Sequence, residues 1–250
     1  MPRFFLQASS IVDGIVTVTG DDAVHISRSL RMRLGEHITV CDMQKTEYDC
    51  ELVGFSGDSV TARVVSSKAS DTEPPYAVRL YQALPKSDKL DTIIQKSVET
   101  GAHVIVPFES ERCVARADGD AKKEAKKLER RCRIALEAAK QCGRGCVPVV
   151  KSTVKFGEML KDACESELVL FFYEGDGAVS LRELLARKYP DGKRPESVSV
   201  IIGSEGGFSL KEVEAARSAG CEICGLGRRI LRCETAPSFA LACLTYNFEL

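Results

Sequence analysis

Two short stretches hold residue types that could do chemistry. The first is Gly203-Ser204-Glu205-Gly206-Gly207, which follows the β-branched run Val198–Ile202 and precedes helical spacing from Phe208 onward. A strand that ends in such a turn can hold a ligand, because glycine lets backbone N–H groups approach a bound molecule with no Cβ in the way. The turn is not a Walker loop, since it has no Gly-Lys-Ser/Thr, and it lacks the G-x-G-x-x-G of a dinucleotide loop. Alone it reads first as a tight strand-to-helix turn and nothing more. The second stretch, Leu226 to Pro237, reads LGRRILRCETAP and leads into the apolar run SFALACLTYNF. Its GLGRRI is no dinucleotide fingerprint, because Ile230 stands where the third glycine belongs. One loop can offer backbone donors, and the other offers guanidinium, carboxylate and hydroxyl groups.

A metal is not expected. Cys221-Glu222-Ile223-Cys224 has the spacing of half a zinc site, but structural zinc takes four ligands. The three histidines lie far off, and Cys233 is the nearest candidate. Eleven cysteines, odd in number and set in apolar segments, read as reduced core thiols rather than a disulfide framework. Over 250 residues, 35 basic side chains nearly cancel 36 acidic ones, so no global field draws the chain to nucleic acid or membrane. A polyanion partner must meet local patches. No apolar segment approaches the roughly 20 residues that span a bilayer, and MPRFFLQASSIVDGI lacks a signal-peptide core. Both point to the cytoplasm.

Two kinds of element must position these loops. Residues 1–70 hold alternating strands (IVDGIVTVTG, EHITVCDM, YDCELVGFSG, DSVTARVVSS), which predict a small antiparallel barrel. Between the first two lies a helix-like segment, DDAVHISRSLRMRLGE, expected to turn Val24, Ile26, Leu30 and Leu34 inward and leave Arg28, Arg31 and Arg33 outside. SSKASDTEPPYA reads as a linker. Across 71–250, strand-like runs (VRLYQAL, HVIVPFE, ELVLFFYE, SVSVIIG) alternate with helical ones, the mark of an α/β domain with a mostly parallel sheet. In its long helix, Ala125, Leu128, Cys132, Leu136 and Ala139 mark an apolar stripe, and the many Lys and Arg residues read as a solvated surface. Arg144, in the turn that ends this helix, can reach a phosphate with its fork of donors.

Several separate motifs, in order, then resemble one family. MPRFF at the start, Leu30-Arg31-Met32-Arg33-Leu34-Gly35-Glu36, the stretch Lys86 to Gly101, Pro107 through Arg112, Glu137-Ala138 with Gln141 and Arg144, and both loops together are similar to the SPOUT-type RNA methyltransferases. More narrowly, they resemble the bacterial 16S ribosomal RNA uridine-N3 methyltransferases, the RsmE-like group. Ser204 departs from the pattern, where the family usually has proline, and Cys233 departs where it often has threonine.

The resemblance implies an N-terminal PUA-like β-barrel (1–70), a C-terminal α/β SPOUT domain (71–250) with a trefoil knot, S-adenosylmethionine as cofactor, and a homodimer. It implies a cofactor pocket built from Phe172, Tyr173, Glu174, Ile202, Gly203, Glu205, Gly206, Gly207, Leu226, Gly227, Ile230, Leu231, Arg232, Thr235 and Ala236. Methyl transfer needs alignment and loss of the uridine N3 proton. Arg232 is the candidate for stabilising charge on the uracil oxygens. Glu205 and Glu234 are candidate proton acceptors, or else anchors of the loop. Arg3, Arg28, Arg31, Arg33, Lys86, Lys89, Arg112 and Arg144 are the candidate contacts to ribosomal RNA, whose target base must leave its stack. A methyltransferase acting on another RNA and an RNA-binding assembly module without chemistry stay open as alternatives.

Overall fold

A computed structural model describes residues 1–190 and 192–250. Packing divides the chain into two compact units, Met1–Glu73 with Ala139–Val147, and Pro74–Ala138 with Pro148–Leu250. The linear cut expected at residue 70 thus becomes a first unit that recruits a distant segment.

The first unit contains β1 (Arg3–Phe5), β2 (Ile11–Val12), β3 (Ile15–Thr19), α1 (Gly20–Val24), β4 (His37–Cys41), β5 (Thr46–Ser56) and β6 (Ser59–Ala69). They form one six-stranded sheet in the order β1-β4-β5-β6-β3-β2, antiparallel except for the β1–β4 pair. IVDGIVTVTG is two strands rather than one. Asp13 and Gly14 both take positive φ (51° and 75°), which closes a two-residue hairpin whose twist suits the strands it joins. Phe4, Val16, Val18, Ile26, Ile38, Val40 and Leu52 fill the core. The expected linker is also partly strand, because Thr46–Asp49 pair with Ser66–Ala69 and carry β6 through to Ala69.

The helix-like segment departs from its expected pattern. After α1 the backbone widens into a π-type turn over His25–Ser29, with Leu30 N bonded to His25 O at 2.9 Å, and Arg31 at φ 52° ends it. The wide turn shifts the 3.6-residue phase. Ile26 stays buried, but Val24, Leu30 and Leu34 are exposed, and Met32 packs on the core instead.

The second unit contains β7 (Ala77–Ala83), α2 (Lys89–Glu99), β8 (Val104–Glu109), α3 (Ala121–Cys142, whose last turn belongs to the first unit), β9 (Val149–Val150), β10 (Val154–Lys155), α4 (Phe156–Ala163), β11 (Leu168–Phe172), β12 (Val179–Ser180), α5 (Leu181–Lys188), β13 (Ser197–Ile202), α6 (Leu210–Ser218), β14 (Glu222–Gly225) and α7 (Ala236–Phe248). Every pairing in its sheet is parallel, in the order β10-β8-β7-β13-β11-β14-β12, with β9 also on β8. Such a sheet is covered on both faces; β11 is accordingly a continuous apolar run, and β13 is buried at every position after Ser197. Cys224 of the CxxC is fully buried on β14, which gives that spacing a packing explanation, and all eleven cysteines are free thiols. On α3, Ala135 and Ala138 are buried and Leu128 and Arg131, on the same line, are half-buried; Ala125 and Cys132, expected inside, are exposed.

Candidate active site

The neighbouring strands β7, β13, β11 and β14 all point the same way, so the loops leaving their carboxyl ends gather at one edge. That is where open α/β sheets hold ligands. Here the loops after β13, β11 and β14 line an open cavity of about 650 Å³, with Lys89 at the start of α2.

The β13 loop is the glycine turn. Gly207 N donates to Ser204 O at 2.9 Å, closing a turn that requires Gly207 at φ 62°. Gln82 of β7 donates to Gly203 O at 3.1 Å. A Cβ on Gly203 would press on Gly207 and the Phe208 ring at 3.2 Å. Phe208 is buried against Phe171, with ring centroids 4.2 Å apart, and anchors the turn to the sheet. Beyond it Ser209 caps α6 in a reciprocal box with Glu212: Ser209 N donates to Glu212 Oε2 at 2.9 Å, and Glu212 N donates to Ser209 Oγ at 3.3 Å. The β11 loop brings Tyr173, whose ring lies where a Cβ on Gly175 would meet it at 2.4–2.5 Å. The β14 loop brings Leu226, Gly227, Ile230, Leu231 and Arg232, then Ala236 at the start of α7.

From the expected pocket set, Phe172, Tyr173, Glu174, Ile202, Gly203, Glu205, Gly207, Leu226, Gly227, Ile230, Leu231, Arg232 and Ala236 line this cavity. Gly206 and Thr235 do not. A Cβ on Gly206 would meet Arg112 at 3.0 Å, so it packs on the other side of the turn, and Thr235 is the exposed N-cap of α7. The sequence reading missed Ser204, Phe208, Arg229 and Cys233 as lining residues, along with the β12 edge at Ala178–Ser180. Ser204, Arg229 and Cys233 lie within the two loops and Phe208 directly follows the first, so their position was the available signal.

Lys89 is the main reassignment. Expected on RNA, it reaches into the cavity from α2 and joins both candidate carboxylates, Glu205 at 2.9 Å and Glu234 at 3.2 Å. Burial pulls Glu205 upward, but bonds from Lys89 and the Lys86 backbone N–H outweigh it and hold the carboxyl below its usual range. Glu234 is lowered too: burial opposes this, and backbone, Cys233 and Lys89 hydrogen bonds overcome it. The Cys233 thiol is pushed up to about 12 by burial and by its bond to Glu234. Both carboxylates are therefore ionised and engaged. The Arg232 guanidinium, exposed beside them, makes no ion pair or hydrogen bond among the described residues.

The other expected RNA contacts divide. Arg28, Arg31, Arg33 and Lys86 are exposed, and Arg112 is exposed while donating to Gly206 O at 3.3 Å. Arg3 and Arg144 turn inward. Arg144 is 3% exposed and grips Glu73 through Nε (2.8 Å) and Nη2 (2.6 Å), and Arg3 bonds Glu47, Cys41 and the Arg144 carbonyl. Their forks are satisfied inside the fold and are not offered to a phosphate.

A family model described as an RNA methyltransferase domain matches residues 72–245, and a second, described as an RNA methyltransferase PUA domain, matches residues 18–65. The chain belongs to the SPOUT-type RNA methyltransferases, in the small-subunit ribosomal RNA methyltransferase E group. Ribosomal RNA small subunit methyltransferase E of Bacillus subtilis is 37% identical over 256 residues, covering 100% of this chain and 98% of the relative. The methyltransferase E of Neisseria gonorrhoeae, solved with S-adenosylmethionine bound, superposes with a TM-score of 0.83 at 30% identity, covering 98% of this methyltransferase and 97% of that chain. A Legionella pneumophila methyltransferase, also solved with its cofactor S-adenosylmethionine, matches with a TM-score of 0.83 at 29% identity, covering 98% and 96%.

Proposed function

We propose that this methyltransferase transfers a methyl group from S-adenosylmethionine to N3 of a uridine in the 16S RNA of the small ribosomal subunit. The observation that carries the reading is the cavity at the carboxyl ends of the three adjacent parallel strands β13, β11 and β14. It sets a glycine cradle against Arg232, which is unpaired among the described residues.

The cradle fits the cofactor. The Ser204 hydroxyl is buried on the cavity wall with no hydrogen-bond partner among the described residues, so it awaits a polar group. Gly203 and Gly207 keep the adjoining backbone free of side chains. Leu226, Ile230 and Leu231 supply apolar walls for adenine; Ile230, 79% exposed, has room to fold over a ligand. When bound, S-adenosylmethionine supplies an electrophilic methyl group with a good leaving group. Arg232, whose donors have no partner among the described residues, stabilises the negative charge that grows on the uracil oxygens as N3 loses its proton. Glu205 and Glu234 are better placed as anchors than as bases, because lowered pKa values and the shared Lys89 make them weak proton acceptors. Their bridge ties α2 to both loops and holds the cavity in shape.

RNA contact falls to the exposed Arg28, Arg31 and Arg33 in the first unit and to Lys86 and Arg112 in the second. The proposal includes the trefoil knot of the family, supported by the adjacency of the β13 and β14 loops, and a homodimer, supported by Phe239 and Tyr246, which stand exposed on α7. No described helix is long and apolar enough to cross a membrane, and a ribosomal substrate supports a cytoplasmic location. Calorimetry with S-adenosylmethionine, then mapping of modified nucleosides in small-subunit particles, tests the reading. Cofactor binding without uridine methylation redirects it to another RNA, and no binding at all leaves an RNA-binding module.

A further inference from the structure

A second cavity, of about 210 Å³, lies on the other side of the segment that carries Lys89. Asp88, Leu90 and Asp91 line it, whereas Lys89 between them lines the methyl-transfer cavity. Its far wall is α3, with Glu124, Lys127, Arg130 and Arg131, closed by Arg116 and Thr153.

Two groups on this wall are left over. Arg131 is half-buried on the inward line of α3, between the half-buried Leu128 and the buried Ala135, where an apolar residue would be ordinary. Its guanidinium makes no ion pair or hydrogen bond among the described residues. The neighbours that could have served are taken: Glu124 holds Lys127 at 2.9 Å, Asp91 is joined to Arg130, and Arg116 donates to the Ser110 and Glu111 carbonyls at 2.9 and 3.0 Å and sits 3.9 Å from Glu109. Asp88 remains as an exposed carboxylate at the rim, where water screens it. Burial pulls the Arg131 pKa down, with Glu124 and Asp91 opposing only at longer range, as expected of a desolvated cation short of an anion. The second leftover is the Thr153 hydroxyl, which is buried with no partner among the described residues. A desolvated guanidinium and an orphan hydroxyl on one cavity wall are costly unless something outside the chain meets them.

We propose that this cavity is a phosphate subsite, in which Arg131 and Thr153 take one phosphodiester of the RNA beside the nucleotide being methylated. The inference rests on the RNA methyltransferase reading for the source of the phosphate. The chemistry is that of a monoanion: the lining holds four cations against three carboxylates, so one phosphodiester charge balances it. The fork of arginine suits phosphate oxygens, and a threonine hydroxyl donates to a third. Because one segment separates the two cavities, a phosphate held here fixes the strand next to the base that enters the other. Phosphate contacts of this kind set register without reading sequence.

The test compares wild type with Arg131→Ala, Arg131→Lys and Thr153→Val. A small-subunit ribosomal RNA fragment is bound over a series of salt concentrations, and inorganic phosphate is titrated while the arginine Nε–H resonances are tracked by NMR. Arg131→Ala should weaken RNA binding by roughly tenfold and make the slope of log affinity on log salt shallower by about one. Lysine should restore the slope but only part of the affinity, S-adenosylmethionine affinity should not change, and Thr153→Val should weaken RNA binding at an unchanged slope. An alanine variant with wild-type affinity and slope overturns the subsite. A saturable response of Arg131 to inorganic phosphate with no RNA defect moves the site to free phosphate and overturns the RNA assignment. Wild type that binds phosphate at Arg131 but neither binds nor methylates the RNA refutes the methyltransferase reading instead, since the anion site then stands without it.

Discussion

Arg232 and Lys89 carry opposite electrostatic histories. Lys89 is neutralised by Glu205 and Glu234, whereas Arg232 has its five donors unassigned among the described residues. Arg232→Ala should therefore leave folding and S-adenosylmethionine affinity intact while single-turnover methylation of small-subunit particles falls by roughly a hundredfold or more. Normal turnover in that variant removes the residue from the mechanism. Glu205 makes a separate prediction about pH. Its folded pKa lies below the ordinary 4.5, so its ion pair contributes stability that is fully present above about pH 4.5 and is lost as pH falls through the folded value. Glu205→Gln should lower the thermal midpoint at neutral pH, and its melting curve should converge on that of the wild type as the solution is acidified. A midpoint gap that stays constant down to pH 3 contradicts the pairing.

At the scale of elements, the glycine turn is held in shape by Phe208, Ser209 and the start of α6. Phe208 is clamped by Phe171, and the Ser209–Glu212 box starts α6, so the residues between β13 and Phe208 have little freedom beyond their own dihedral angles. Gly207 at φ 62° has space for a Cβ but not a conformation that an L-residue likes. Gly207→Ala should cost about 1–2 kcal/mol of turn strain and weaken cofactor affinity by roughly tenfold, with the far-ultraviolet circular dichroism unchanged. Calorimetry giving wild-type affinity would show that the turn does not shape the pocket. The π-type turn at His25–Ser29 has the same kind of consequence: one wide turn puts Leu30 and Leu34 outside beside Arg28, Arg31 and Arg33, making that surface both apolar and basic.

For the whole molecule, the first unit depends on a segment far away in the chain. Arg144, from the turn after α3, meets Glu73, and the backbone N–H of Gly145 also donates to that carboxylate at 2.9 Å. Both side chains are 3% exposed, so removing one partner strands a buried charge. Glu73→Gln or Arg144→Ala should destabilise the protein by about 3–5 kcal/mol, read by urea denaturation. A loss below about 1 kcal/mol, the worth of an ordinary exposed pair, would show that this one is dispensable. Assembly is tested separately. Sedimentation should find a dimer at micromolar concentration, and Tyr246→Glu, at a position 78% exposed on α7, should shift it toward monomer.

Much of the lining of the candidate site was legible in the sequence because it is local. A β-branched run, a glycine turn and a capped helix succeed one another without a break, and the second loop needs only its own residues to show guanidinium, carboxylate and apolar wall. The alternation of strands and helices over 71–250 likewise carries the parallel sheet. Short elements escaped: β1 has three residues and α4 has two turns, too few for a period to declare itself. What only the tertiary structure decided was the partner of each charge. Arg144 and Arg3 look like phosphate ligands until Glu73 and Glu47 arrive from 71 and 44 residues away, and Lys89 looks like one until Glu205 closes on it from 116 residues away. Arg131 is the reverse case, a surface cation by pattern that the packing of α3 leaves half-buried and without an ion pair among the described residues. A sequence records which groups are charged, but the energy of a charge depends on solvent exposure and on neighbours within a few ångströms, and those are properties of the folded chain.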